Sequence, residues 1–133
     1  MRKLTKMIIH CSASDDAEAD NIETIRKWHL LRGWDDVGYH FFIRKDGAIE
    51  KGRDVSVVGA HCKGHNHDSI GICLSGKNDF TLDQYIALGA LMQIVHLEYG
   101  SLDVYPHNHF NALKTCPNFK SKLFDREEKL DLA

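Results

Sequence analysis

Apolar residues in this chain follow two different periods, and the switching between them leaves room for little besides a mixed α/β fold. Leu4 to Cys11 is a continuous apolar and β-branched run of strand length that delivers His10 and Ser12 to its C-terminal end. Asp20, Asn21 and Glu23 then make a helix start with a capping-box pattern, after which Ile22, Ile25, Trp28 and His29 recur at helical spacing until Gly33. Lys45-Asp46-Gly47 separates the β-prone segments Gly38 to Arg44 and Ala48 to Lys51, and Asp-Gly in that position predicts an antiparallel hairpin. Ser69 to Leu74 reads as a further buried strand, preceded by a polar loop rich in His and Gly from Gly59 to Asp68. Thr81-Leu82-Asp83-Gln84 is a second capping box, and it opens the longest helical period: Tyr85, Leu88, Leu91, Met92, Val95 and Leu97, ended by Gly100. A short strand around Val104, a loop holding His107, His109 and Cys116, and a mostly polar helix from about Phe119 complete the chain. The expected fold class is α/β, a single domain over residues 1–133 with a central mixed β-sheet flanked by helices.

The bulk numbers agree with one domain. A chain of 133 residues with 43% hydrophobic content can bury a single core without disulfide staples. There is no internal repeat and no Pro/Gly/Ser linker, and the only prolines are at 106 and 117. A net charge of -2 supplies no global positive field, so neither nucleic acid nor an anionic membrane is an expected partner. The run Met7 to Ile9 is too short for a signal peptide's apolar region, and no apolar stretch approaches the roughly 20 residues of a membrane span. The chain is therefore expected to be made in the cytoplasm. Cys11, Cys62, Cys73 and Cys116 form no CxxC pair, which argues against a disulfide framework or a zinc ribbon.

Nine histidines are the unusual count. A catalytic zinc takes three protein ligands, drawn largely from imidazole nitrogen and thiolate sulfur, and keeps a fourth position open. His10 at a strand end, with His107 and Cys116 near the ends of one loop, could supply such a set. Taken from the residues alone, each also has a plainer role. His10 could be a hydrogen-bonded core histidine, Cys116 a small buried hydrophobe, Tyr39 a half-buried strand aromatic and Lys114 a solvated charge.

The segments IIHCSAS, IRKWHLLRGWDDVGYHFFIRKDGAIEKGRD, VGAHCKGHNHDSIGICLSG and LKTCPNF, in this order over about residues 7 to 120, resemble the type 2 N-acetylmuramoyl-L-alanine amidases, in particular their T-odd phage lysozyme branch. The resemblance implies the fold shared with peptidoglycan recognition proteins. It also implies a Zn2+ cofactor and hydrolysis of the amide between N-acetylmuramic acid and L-alanine. Its zinc ligands fall on His10 and Cys116, with a second histidine eight residues before the cysteine. Position 108 is Asn here, with His107 nine and His109 seven residues before Cys116. His107 is favoured because it directly follows the short strand and precedes a polar residue; His109 is the alternative.

Tyr39 and Lys114 match positions that the phage lysozymes need for cleavage without using them as ligands. A lysine ammonium offers charge to an oxyanion, and a tyrosine hydroxyl can orient water or donate a hydrogen bond. His61 of the GAH string is expected to line the cleft and contact substrate. Cys73 stands where many relatives outside the phage branch carry a glutamate, so no carboxylate base is expected there, and Cys73 reads as strand packing rather than a nucleophile. His40 is expected to be structural, His65 and His67 solvated, and His29 and His96 packing or surface residues. The implied protein is an endolysin or cell-wall lytic amidase: a monomer that acts on bacterial peptidoglycan after release. A phage relative also binds RNA polymerase, through a surface outside the cleft; that activity is not carried over. The competing reading is a peptidoglycan-binding module of the same fold that has lost a zinc ligand, and the shifted histidine spacing before Cys116 keeps it open.

Overall fold

Residues 1–111 and 113–119 are described in a computed structural model; the helix expected from about Phe119 onward lies outside the described residues. Five strands, β1 (Lys6–Cys11), β2 (Phe41–Ile43), β3 (Ile49–Lys51), β4 (Ser69–Leu74) and β5 (Asp103–Pro106), form one sheet in the order β3-β2-β4-β1-β5. β1 runs parallel to both β4 and β5, and β2 runs parallel to β4. Among the described residues only the hairpin β2–β3 is antiparallel. All six residues of β4 are buried, which is why the strand carries no polar side chain from Ile70 to Leu74 instead of alternating. The hairpin closes where Asp-Gly predicts it, with Gly47 at φ +88° donating to Arg44 O at 2.9 Å.

Two helices cover the two faces of the sheet. α1 (Ile22–Leu31) packs Ile22 and Ile25 against Val37, Phe42 and Cys73. Its N-cap is Asn21, whose side chain accepts from Thr24 N–H at 2.9 Å. The capping box expected from Asp20 is absent: Asp20 accepts the Lys45 N–H instead, at 2.8 Å, and Glu50 of β3 takes the Ile22 N–H at 3.0 Å. The first turn of α1 is thus satisfied partly by the hairpin rather than by its own sequence. Trp28 does not join the buried stripe; it is 39% exposed.

α2 (Leu82–Tyr99) starts at the capping box as read, with Thr81 accepting from Gln84 N–H and the Gln84 side chain accepting from Thr81 N–H. It buries Leu88, Leu91, Met92 and Val95 against Met7, Ile9, Ile70, Ile72 and Leu74 on the opposite face of the sheet. Leu97 corrects the expected stripe. Two residues beyond Val95 the helix has turned about 200°, so Leu97 points outward and is 87% exposed, on the same side as exposed Leu82 and Ile86. Among the described residues no helix is long and apolar enough to cross a membrane.

The parallel pairing decides where chemistry can be placed. β1 and β5 end at the same edge of the sheet, with Ile9 opposite Pro106. One step further along each strand brings His10 and His107 side by side, in the crevice beyond the carboxyl ends of parallel strands where ligands of open α/β sheets bind.

Candidate active site

His10, the penultimate residue of β1, is buried, 1% exposed, and its Nδ1 lies 3.1 Å from Nδ1 of His107, the first residue after β5. Cys116 comes back to the same point from the C-terminal loop. The loop is drawn in by Asn108 N–H donating to Cys116 O at 3.0 Å, and Cys116 Sγ accepts the Cys11 N–H at 2.8 Å. One donor atom from each of His10, His107 and Cys116 falls within 4.8 Å of the other two. Bond lengths of about 2.0–2.3 Å place the donors of a tetrahedral zinc roughly 3.4–3.8 Å apart. The cluster therefore closes on such an ion with modest side-chain adjustment, and two imidazoles with a thiol are a donor set that zinc accepts.

The electrostatics of the three groups differ. Burial holds His10 well below the ordinary histidine pKa, with His61 and His107 adding to the effect, so its imidazole is neutral and keeps a lone pair. His107 is lowered in the same direction, first by burial and then by the charge of Lys114. The Cys116 thiol is pushed up by its contact with Cys11 and by burial, so it stays protonated at neutral pH without a compensating positive charge. A divalent cation is the kind of group that would supply one.

Tyr39 and Lys114 both line the cleft. The Tyr39 ring is 5.1 Å from that of His10, and burial followed by neighbouring thiols keeps its hydroxyl protonated well above the usual tyrosine range. Tyr39 is not in the strand expected there; β2 begins only at Phe41, and Gly38 is engaged outside the sheet, its N–H donating to His29 Nδ1 of α1 at 2.8 Å and its carbonyl accepting the Ala60 N–H at 3.0 Å. Lys114 is exposed at the rim. His61 is 8% exposed, below His10, with Nδ1 2.9 Å from His10 Nε2. His109, by contrast, is exposed and stacks on Tyr105 with ring centroids 4.7 Å apart. Cys73 is fully buried beside Val37 and Phe42, and burial pushes its thiol well above the ordinary range. His40 is buried and bonded at both ring nitrogens, to Gly71 N–H and Val57 O. His65 is half-buried with its ring 4.1 Å from Phe110 rather than freely solvated, and His67 is exposed.

The cleft has a volume of about 750 Å³, within the range of small-molecule sites. Its lining also includes residues to which the sequence reading gave no site role: Trp28, Arg32 and Trp34 from and just after α1, and Lys63 and Asn66 from the loop before β4. The Arg32 guanidinium lies over the Trp34 ring, 5.7 Å from its centroid. The signal that could have found them is the exposure of Trp28 and its neighbours, which spacing alone does not carry.

A mixed sheet covered on both faces by helices, with imidazole, imidazole and thiol gathered at the carboxyl ends of two parallel strands, places the chain in the type 2 amidase and peptidoglycan recognition protein fold. Solved structures bear this out. The amidase LysC from Clostridium intestinale URNW aligns with a TM-score of 0.84 at 30% identity, covering 98% of this chain and 86% of that one. Drosophila PGRP-LB aligns with a TM-score of 0.77 at 27% identity over 88% of this chain and 76% of its own. In sequence, the endolysin of Escherichia phage T7 is 39% identical over 132 residues, covering 93% of this chain and 87% of the phage protein. Residues 1–119 match the N-acetylmuramoyl-L-alanine amidase family, and the chain belongs to it.

Proposed function

We propose that this chain is a zinc-dependent N-acetylmuramoyl-L-alanine amidase of the endolysin type. It would hydrolyse the amide between N-acetylmuramic acid and the L-alanine of the stem peptide, with residues 1–133 acting as one catalytic domain on the cell wall after release. Family membership and the likeness to the phage T7 endolysin over most of both chains support the reaction class. The observation that carries the metal is the convergence of His10, His107 and Cys116 within 4.8 Å inside the cleft.

His10 and His107 are neutral, which is the state that coordinates. Zinc held by this set would supply Lewis acidity toward a carbonyl oxygen and toward water. The chain's own residues do the rest. The cleft receives the sugar-peptide junction and shields it from bulk water, with Trp28 and Trp34 offering flat apolar surface in its lining. Tyr39, protonated beside His10, can donate a hydrogen bond to the oxygen that gains negative charge as the amide is attacked. Lys114 at the rim adds positive charge on the same side.

The deciding experiment combines zinc content with release of stem peptide from defined muropeptides, on purified protein before and after chelation. The expected outcome is about one zinc per chain, release by the loaded protein, loss after chelation and recovery on adding zinc. A chain that binds muropeptide with no metal and releases nothing is a recognition module instead.

A further inference from the structure

His61 reaches beneath the parallel strands from the loop before β4. Its own N–H and that of Cys62 both donate to Asn66 Oδ1, at 3.0 and 2.9 Å, so the loop carries a clamp at this point. Its ring lies against Gly71 of β4: a Cβ there would stand 2.6 Å from ring atoms Cγ and Cδ2. Glycine at this position is what leaves room for the imidazole.

The proton positions follow in order from one fixed acceptor. The Ser69 hydroxyl donates to the His65 carbonyl at 2.7 Å, and a carbonyl can only accept. The single hydroxyl proton is committed there, so Ser69 Oγ meets His61 Nε2, 3.3 Å away, as an acceptor. His61 is thereby protonated at Nε2, and in a neutral imidazole that leaves Nδ1 as the acceptor. His61 Nδ1 is 2.9 Å from His10 Nε2, so His10 donates from Nε2. The remaining lone pair of His10 sits on Nδ1, the atom facing His107 at 3.1 Å.

We infer that His61 is a positioning residue: by accepting from His10 Nε2 and donating to Ser69, it locks His10 in the tautomer and ring angle that present Nδ1 to His107 and Cys116. The inference rests on the proposed ligand role of His10, and it moves His61 from substrate contact to ligand orientation. Gly71, Ser69 and the His65 carbonyl belong to the same relay, the first by making room and the other two by fixing the direction of the protons. Partners of this kind behind a metal-binding histidine are ordinarily worth about 10–100-fold in metal affinity.

The test uses the full chain stripped of metal. Long-range proton–nitrogen NMR of the imidazoles reads the tautomers, and competition with a chromophoric chelator reads zinc affinity for wild type, His61→Ala, His61→Asn and Ser69→Ala. In metal-free wild type His10 and His61 are both expected as the Nε2–H form. His61→Ala is expected to bind zinc about 10–100-fold more weakly. His61→Asn, which keeps an acceptor near the Nδ1 position, recovers most of that loss, and Ser69→Ala shows a smaller one. His10 carrying its proton on Nδ1 in metal-free wild type overturns the inference even if His61→Ala fails to fold. So does a folded His61→Ala that binds zinc as tightly as wild type. A wild type that takes up no zinc overturns the metal-site reading beneath it, an outcome distinct from both.

Discussion

His107 and His109 stand two residues apart in opposite surroundings. His107 Nδ1 is 3.1 Å from His10, whereas His109 is exposed and stacked on Tyr105. His107→Ala is therefore expected to lose zinc and stem-peptide release together, while His109→Ala keeps both; the reverse result would move the second ligand to His109. Tyr39→Phe separates binding from catalysis. The ring packing near His10 survives, so zinc content should match wild type while kcat falls by about 10²–10³, the usual cost of one oxyanion donor. An unchanged kcat would make Tyr39 a packing residue. At this scale local pattern left His10 and Cys116 with plainer readings, and it was the resemblance to the amidase family that singled out His10, His107 and Cys116, which the fold brings together. Trp28 reads with Ile22 and Ile25 as part of one helical stripe, because a tryptophan at helical spacing looks the same whether it faces a sheet or a cleft. Asp20, with Glu23 three residues on, read as the start of a capping box; Asn21 serves as the cap instead, and the Lys45 N–H claims Asp20 from a distant part of the chain.

Elements were read best where the signal is local. β4, the Asp-Gly hairpin and the Thr81 capping box all stand where the pattern placed them. The order β3-β2-β4-β1-β5 was not legible, because parallel pairing joins segments dozens of residues apart and leaves no mark at either partner. α2 also shows the limit of a stripe count, since it is apolar on its outer side as well, at Leu82, Ile86 and Leu97. Three substitutions test which of its contacts hold the fold. Leu88→Ala, fully buried against the sheet, should cost about 2–5 kcal/mol. Thr81→Ala should cost about 1 kcal/mol through the lost cap. Leu97→Glu, at an 87% exposed position, should stay within about 0.5 kcal/mol of wild type. Urea unfolding of the metal-free protein ranks the three, and a large cost for Leu97→Glu would mean that something covers the outer face of α2.

Across the whole molecule, the buried histidines tie stability to pH. His29 and His40, 6% and 0% exposed, have pKa values lowered from 6.5 to about 4, in each case chiefly by burial. In the unfolded chain they bind protons near the ordinary histidine value, so the unfolded state gains protons first as pH falls. The stability they confer is fully present above about pH 6.5 and drains away as pH drops toward 4, by roughly 3 kcal/mol for each. His10 and His61 are shifted in the same direction and add to the slope. The carboxylates act in a different window. Asp15, for example, is held below the usual carboxylate range by the Lys77 N–H and then by Lys45, so its contribution is retained until pH falls below about 4. Against a total of about 5–15 kcal/mol for an ordinary domain, the histidine loss alone is large. Metal-free protein should therefore be stable near pH 7.5 and lose most of its unfolding free energy by about pH 4.5, measured by urea titration in the presence of chelator. Equal stability at the two pH values would mean that these histidines are as accessible to protons in the folded chain as in the unfolded one, and that the packing of His29 and His40 is looser than their burial indicates.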